Sequence, residues 1–450
     1  MSETKTSIEE RNHESPREAP PAAAEPGLDA TRANRRTFHE NLVRRFRAEL
    51  GKPSGGTMAL VDALLRDAYR ERASDIHLDS ESNGLRVRFR VDGVVLDTCL
   101  LGRGAGRRLV NQFKGMARID PVAMFVPEEA RFTYVVEGRE IGFRVEVAPC
   151  LPGDKLTVRI LEPNRVQQRL GHLGLSEDGL IDIKDWLGNV NGMFLVAGPT
   201  GSGKTTTLYA LLHEFKLLER NVVSIEDPVE CQIDGINQIQ VDEPRGLTFA
   251  KGIKATLRLD PDFMLVGEVR DHSSATAAID AAVTGRTLMS TVHSRDAVGA
   301  VTVLRNFGLG DHEIASVLSM LVNQRLVRKL CRECRRRERP TEAEMRWLLA
   351  AELPIPESTW HPVGCDACHG LGFYGRTGVF EVWRVDEEDR VLLLDHAPES
   401  IIREALAAKD HQFLLTDGLA KVEAGVTSLS ELKTMGGLGW RSPSPGAIGG

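Results

Sequence analysis

The amino-acid sequence predicts an α/β protein: a core on a mostly parallel sheet, a smaller α+β domain before it, and a helix-rich, cysteine-bearing region after it. Three observations carry that prediction. Apolar runs recur at 193–197, 222–225, 263–266 and 287–292 with helical stretches between them, the pattern of buried strands alternating with helices. A glycine-rich segment, Gly198-Pro-Thr-Gly-Ser-Gly-Lys204-Thr205, follows the first of these runs. Well ahead of them, Leu85-Arg-Val-Arg-Phe-Arg-Val91 alternates apolar and charged residues up to a turn at Asp92-Gly93, which reads as a half-buried strand of a different sheet.

The chain has 450 residues, room for about two to four domains. Its composition, 42% hydrophobic and 27% charged, is that of a globular protein with a core of ordinary size. A net charge of −7 gives no global attraction to nucleic acid or membrane, so local patches must decide. No stretch approaches the roughly 18 uninterrupted apolar residues of a spanning helix, and no apolar signal segment follows the polar start. The expected location is the cytoplasm. Seven cysteines in such a chain read as thiols or metal ligands before disulfides.

Residues 1–56 read as a disordered tail, a basic amphipathic helix and a linker. The run Glu18 to Pro26 is too polar and proline-rich to fold alone. At 31–50, Phe38, Leu42, Phe46 and Leu50 recur every four residues among Arg35, Arg36, Arg44, Arg45 and Arg47. Such a helix suits an acidic partner or a membrane surface, and equally a loose packing on its own protein. The α+β domain spans 57–165. It has a helix at 58–71 with Leu60, Val61, Leu64, Leu65 and Ala68 on one face, and strands at 85–91, 131–136, 139–148 and 155–161. The core spans 166–322. Helices are expected to dominate 323–440 around the cysteines, and 441–450 reads as a second disordered tail.

The glycine-rich segment matches G-x-x-x-x-G-K-[ST] in full and sits in the right context. Met193-Phe-Leu-Val-Ala197 enters it as a strand, and Thr205-Thr-Thr-Leu-Tyr-Ala-Leu-Leu leaves it as a helix. Glycines let successive backbone N–H groups turn inward around phosphate oxygens, and the helix N-terminus adds its dipole. The expected nucleotide-binding residues are Gly198, Pro199, Thr200, Gly201, Ser202, Gly203, Lys204, Thr205 and Thr206. Lys204 reaches the β- and γ-phosphates of ATP, and the Thr205 hydroxyl holds Mg²⁺.

Two further segments end in carboxylates: Val222-Val-Ser-Ile-Glu226-Asp227-Pro228-Val-Glu230 and Phe263-Met-Leu-Val-Gly267-Glu268. Strand ends of a parallel sheet converge on the ligand crevice. Phosphoryl transfer to water needs positioning and charge compensation, so one carboxylate orients the water and another holds the magnesium hydration shell. Glu226 is assigned the first role and Glu268 the second, although residue type alone does not separate them. His293, after the run Thr287–Val292, sits at another strand end. There it could sense the γ-phosphate or orient the water, or be structural.

Cys331-Arg-Glu-Cys334 and Cys365-Asp-Ala-Cys368 form two C-x-x-C pairs, whose four thiolates suit tetrahedral zinc. The alternative, a redox pair, lacks a thioredoxin-like context. Cys99, Cys150 and Cys231 have no such spacing. Around the first pair, Arg325, Arg328, Lys329, Arg332, Arg335, Arg336, Arg337 and Arg339 form a basic segment. It could meet anionic lipid or an acidic partner, or be a solvated face. Nucleic acid is not expected, since no stacking aromatics are interleaved.

Together these segments resemble the secretion ATPase superfamily, in its type II secretion and type IV pilus-assembly branch of GspE-like and PilB-like motors. Ala73-Ser-Asp-Ile-His77 with Leu85–Gly93 is similar to the family's N-terminal half. Ser224–Glu230 resembles its aspartate box, Leu257–Asp271 its Walker B region and Ser290-Thr-Val-His293 its histidine box. Gln324–Cys331 and Gly375-Arg-Thr-Gly-Val-Phe-Glu381 flank the cysteines as expected. The resemblance implies a RecA-like core, a PAS-like N-terminal domain and a homo-oligomeric ring, usually a hexamer, peripheral to the inner membrane. Such a ring hydrolyses ATP to move an inner-membrane platform protein and so drives pseudopilus or pilus assembly. It also implies that Arg144 and Arg159 of the N-terminal half reach the phosphates.

Several positions depart from the family pattern. The family's Arg-Arg-x-Pro-Gln-Asp-Gly-Arg segment reads here Met124-Phe-Val-Pro127-Glu-Glu-Ala-Arg131. Thr-Gly-His is Thr284-Gly285-Arg286, and the asparagine after the histidine box is Arg295. These changes raise an alternative, a nucleotide-gated scaffold subunit with little turnover of its own.

Overall fold

A computed structural model describes residues 56–121, 126–161, 168–188, 190–214 and 220–435. The two tails, the basic helix, and Met124 and Phe125 lie outside the described residues.

The smaller domain is one antiparallel sheet of six strands: β1 (Ala73–Glu81), β2 (Gly84–Val91), β3 (Val94–Gly102), β4 (Glu128–Val136), β5 (Arg139–Ala148) and β6 (Lys155–Leu161), in the order β3-β2-β1-β6-β5-β4. Its helices, Thr57–Arg70 and Arg103–Met116, pack on each other and share one core with the sheet. The expected stripe Leu60, Val61, Leu64, Leu65 and Ala68 is buried. Against it lie alternate strand residues, among them Phe89, Phe143, Val145 and Val158, and Phe132 stacks on Phe143 with centroids 5.1 Å apart. Alternation made β2, β5 and β6 legible. It fails in β3, where a register shift opposite Val87 and Arg88 leaves Thr98 and Cys99 buried in succession, so that strand is not apparent in the sequence.

The outer face of this sheet is charged and self-paired. Arg131, Arg144, Arg159, Asp75 and Arg90 stand in one register row across β4, β5, β6, β1 and β2. Arg159 Nε donates to Asp75 Oδ1 at 2.9 Å, and Arg144 Nη2 to Glu129 Oε2 at 2.6 Å.

The core sheet has seven strands. β7 (Met193–Ala197), β8 (Val222–Glu226), β9 (Ile236–Gln240), β10 (Phe263–Val266) and β11 (Thr287–Val292) are parallel, and β12 (Leu318–Leu330) joins them on the other side of β7. A small pair, β13 (Arg336–Glu338) and β14 (Thr359–His361), belongs to the cysteine excursion, and β15 (Phe373–Arg384) returns antiparallel to β12. The order is β15-β12-β7-β11-β10-β8-β9. Both faces are covered. Met193, Leu195 and Ala197 enter one apolar cluster, and Phe194 and Val196 the other.

Beyond 322 helices are accompanied by strands. Five helices are there: Glu342–Ala350, Glu387–Leu394, Glu399–Ala408, Leu414–Glu423 and Leu429–Thr434. Yet the region also supplies β15, and β12 runs through the expected boundary at 322. Residues Leu318 to Gln324 are buried on both faces, so β12 shows no alternation, and a run of that kind reads as helix or strand alike.

The two sheets meet in a small seam. Gly375 N–H donates to Asp92 Oδ2 at 2.8 Å, and Arg72 pairs with the same carboxylate at 3.1 Å while lying over the Tyr374 ring. His369 Nε2 lies 3.0 Å from Glu71 Oε2.

Phe143 is fully buried in the smaller core. Phe143→Ala should destabilise that domain by about 3–5 kcal/mol. Denaturant titration of the purified protein, followed by circular dichroism, measures the loss. A shift below about 1 kcal/mol would contradict this packing.

Candidate nucleotide site and metal centre

β7 delivers the chain into the loop 198–203, whose Gly198, Gly201 and Gly203 take φ of 148°, 78° and 91°, a region that disfavours side chains. Space forbids them as well. A side chain at Gly198 would meet the Gln324 carbonyl at 2.5 Å, and one at Gly203 would meet Gln324 Nε2 at 2.8 Å. β12 therefore presses on the loop from one side. Thr207 Oγ1 donates to Gln324 Oε1 at 2.6 Å, tying the departing helix Lys204–Glu214 to the same glutamine.

Lys204 Nζ donates to the carbonyls of Gly198 at 2.9 Å and Pro199 at 3.2 Å. Burial lowers its pKa below the ordinary lysine value, with Glu268 acting in opposition. Thr205 is exposed and Thr206 half-buried at the start of the helix. The buried Ser202 hydroxyl has no hydrogen-bond partner. A cavity of about 450 Å³ opens beside the loop, walled by Pro199 to Ser202, Arg325, Arg328, Arg376 and the turn Asp92 to Val94.

Glu268 follows β10 and His293 follows β11. His293 Nδ1 donates to the Gly198 carbonyl at 3.2 Å, and its Nε2 stands 3.5 Å from Glu268 Oε1. Glu268, His293 and Lys204 thus gather at the head of the loop.

Glu226 does not join them. It is 3% exposed, and both carboxylate oxygens are taken. Oε2 accepts from Tyr209 OH, and Oε1 accepts from Ser224 Oγ at 2.6 Å and Gln238 Nε2 at 3.1 Å. A carboxylate so sealed has no room for an attacking water, so the water-orienting assignment to Glu226 is corrected. Glu230, four residues on, is exposed. Burial works against the Arg159 cation, but Asp75, Glu146 and Glu230 hold its pKa above the ordinary value. Glu230 therefore faces the smaller domain's arginine row. Glu230 lies past the end of β8 in the same segment as Glu226, and strand-end position alone does not single it out.

Arg144 and Arg159 are not brought to the loop. Their partners are carboxylates of their own domain, and that domain meets the cavity through Asp92, Gly93 and Val94 instead. Two departures from the family pattern also find their places. Arg286 pairs with Asp260 at the start of β11, the end away from His293. Arg295 offers its carbonyl to Asn323 Nδ2 at 3.0 Å.

The four paired cysteines converge. Cys331 follows β12, Cys334 closes its turn, and Cys365 and Cys368 lie on the turn before β15. Three Sγ–Sγ distances are 3.8 Å, and all four sulfurs lie within 4.8 Å of one another. A zinc tetrahedron with Zn–S near 2.3 Å has an edge of about 3.8 Å, so the donor set fits zinc. Gly364 and Gly372 donate backbone N–H groups to Cys334 Sγ and Cys368 Sγ, each at 3.2 Å, which steadies sulfur in the thiolate form. Cys99, Cys150 and Cys231 stand outside the cluster.

The basic segment is not one solvated face. Arg328 pairs with Glu431 at 2.6 Å and lies over Phe373, Arg335 lies over Trp360, and Arg325 turns to the phosphate loop. Lys329, Arg332, Arg336, Arg337 and Arg339 remain exposed, Arg337 donating to Ser358 Oγ at 2.7 Å.

A family model described as Type II/IV secretion system protein matches residues 52–434. Type II secretion system ATPase E of Vibrio cholerae is 39% identical over 375 residues, which is 83% of this chain and 74% of that protein. Type II secretion system protein E of Aeromonas hydrophila is 38% identical over 374 residues, with the same two shares. Among solved structures, the ATPase DotB of Legionella pneumophila superposes with a TM-score of 0.62 at 21% identity, over 85% of this chain and 97% of that one. The pilus retraction motor PilT with bound ADP gives 0.55 at 20% identity, over 86% and 97%. At those identities the two structures speak to the fold.

Cys331→Ser with Cys365→Ser should remove zinc, which the unaltered protein should hold at one per chain. Metal analysis by mass spectrometry reads this directly, and stoichiometric zinc in the double variant would refute the assignment.

Proposed function

The chain belongs to the type II/IV secretion system protein family and is an ATPase of it, a motor for secretion or pilus assembly, and on that premise we propose how its residues divide the work. The observation that carries the reading is the gathering of Lys204, Glu268 and His293 around an intact phosphate loop.

The loop's N–H groups and Lys204 bind the phosphates of ATP. Gathered at the head of the loop, His293 reads the terminal phosphate and Glu268 the metal hydration shell. Magnesium, held by Thr205 and by Glu268 through water, would neutralise phosphate charge. Glu226 fixes Tyr209, Ser224 and Gln238, and Glu230, which faces the arginine row, would orient the attacking water when that row closes on the loop. Arg144 and Arg159 act once the smaller domain closes or a neighbouring subunit presents its row, since transition-state charge rewards an arginine there.

The working form in this reading is a homo-oligomeric ring, a hexamer by family resemblance. It sits at the cytoplasmic face of the inner membrane against a platform protein. No helix among the described residues is long and apolar enough to cross a membrane. Zinc on the four cysteines would clamp the excursion between β12 and β15. Exposed Arg332, Arg336 and Arg339 are the candidates for an acidic partner or anionic lipid. The PAS-like kinship of the smaller domain is supported by its single sheet packed against helices.

Lys204→Ala should abolish phosphate release. Glu230→Gln should lower kcat by about a hundredfold or more while sparing ATP affinity. Glu226→Gln should act mainly on melting temperature. A coupled phosphate-release assay beside nucleotide titration separates these effects. Normal turnover in Glu230→Gln with none in a well-folded Glu226→Gln would return the water to Glu226.

A further inference from the structure

Arg325 is held in an unusual way for a partly buried guanidinium. Nη1 donates to Asn323 Oδ1 and the Gln324 carbonyl, both at 3.1 Å, and Nη2 donates to the Arg295 carbonyl at 2.7 Å. All three acceptors are neutral. Other arginines of the core have carboxylates: Arg328 has Glu431, Arg305 has Asp311 and Arg403 has Asp296. Asp296 and Glu381 are near enough to favour the Arg325 charge but do not contact it. Burial works against that charge and lowers its pKa below the ordinary arginine value.

Position supplies the missing anion. Nη1 lies 3.2 Å from where a side chain on Gly198 would begin, at the head of the phosphate loop. Lys204 and His293 both donate to the carbonyl of that same Gly198. Burial, offset by Glu268, lowers the pKa of Lys204 and the charge of Arg325 adds to it, so the two cations face one side of the loop together. A guanidinium has five N–H donors; Nε and one Nη2 hydrogen remain uncommitted here. Its planar fork matches two oxygens of one phosphate, which a lysine cannot do.

Resting on the ATPase reading, we propose that Arg325 is a direct contact for the terminal phosphate of ATP, supplied by β12 of the same chain. It makes the site prefer the triphosphate to the diphosphate. It also links that phosphate to the loop after His293, because its other hydrogen bond holds the Arg295 carbonyl. Arg325 thereby leaves the basic surface segment to which its neighbours in sequence assign it.

The test uses the full-length, zinc-loaded protein and two probes with magnesium: ADP and a non-hydrolysable ATP analogue. Equilibrium titrations are run on the unaltered protein, Arg325→Ala and Arg325→Lys, with melting of each nucleotide-free protein alongside. Arg325→Ala should weaken the analogue about tenfold to a hundredfold and ADP less than about threefold, with Arg325→Lys between. Should Arg325→Ala fail to fold, the analogue-to-ADP ratio of Arg325→Lys decides. Equal weakening of both nucleotides would show a purely structural arginine, and unchanged affinity for both would show no part in binding; either overturns the proposal. Absence of uptake by the unaltered protein is a different failure, that of the ATPase reading itself.

Discussion

The architecture depends on how closely β12 approaches the phosphate loop. Gln324 occupies the space that side chains at Gly198 and Gly203 would need, and its amide holds Thr207 on the departing helix. One strand thus fixes both the loop and the helix dipole behind it. The glycines here permit backbone conformations and also admit a neighbour. The same strand carries Arg325 to the loop at its middle and delivers Cys331 to the cysteine cluster at its end.

Burial then sorts the acids. Glu226 and Glu268 look alike in sequence, each closing an apolar run. In space one is sealed by a phenol, a hydroxyl and an amide, and the other stays 34% exposed beside Lys204 and His293. A buried carboxylate with both oxygens engaged stabilises the strand end. One with solvent access is able to act on water or a metal shell. Tyr209, one helical turn beyond the loop, makes that distinction, and its distance in sequence from Glu226 hid it.

Much of this was legible beforehand, for physical reasons. β7 and β10 are short, wholly apolar runs, and β11 is a short, mostly β-branched and apolar run closing at His293, so their limits are legible directly. The phosphate loop and the cysteine pairs carry their chemistry in local spacing. The misreadings arose where the outcome depends on distant partners. β12 is buried on both faces and resembled a helix. Glu226 is silenced by residues from a helix and another strand. Arg144 and Arg159 are assigned to phosphate by family resemblance alone, and within this chain Glu129 and Asp75 hold them in their own sheet. The basic segment divides because Arg325, Arg328 and Arg335 find partners within the fold, while Lys329, Arg332, Arg336, Arg337 and Arg339 stay at the surface.

The way β12 is paired has a mechanical consequence. It is bonded to β7 from Leu318 to Asn323 and to β15 as far as Leu330, so it cannot flex independently of the sheet. Phosphate loop and cysteine knuckle are therefore bolted to one rigid plate. Any stroke must be taken up where the plates touch, at Asp92 with Gly375, Arg72 with Tyr374, and Glu71 with His369. Each of those contacts is worth only about 1 kcal/mol, so the seam acts as a slipping clutch that disengages without deforming either half.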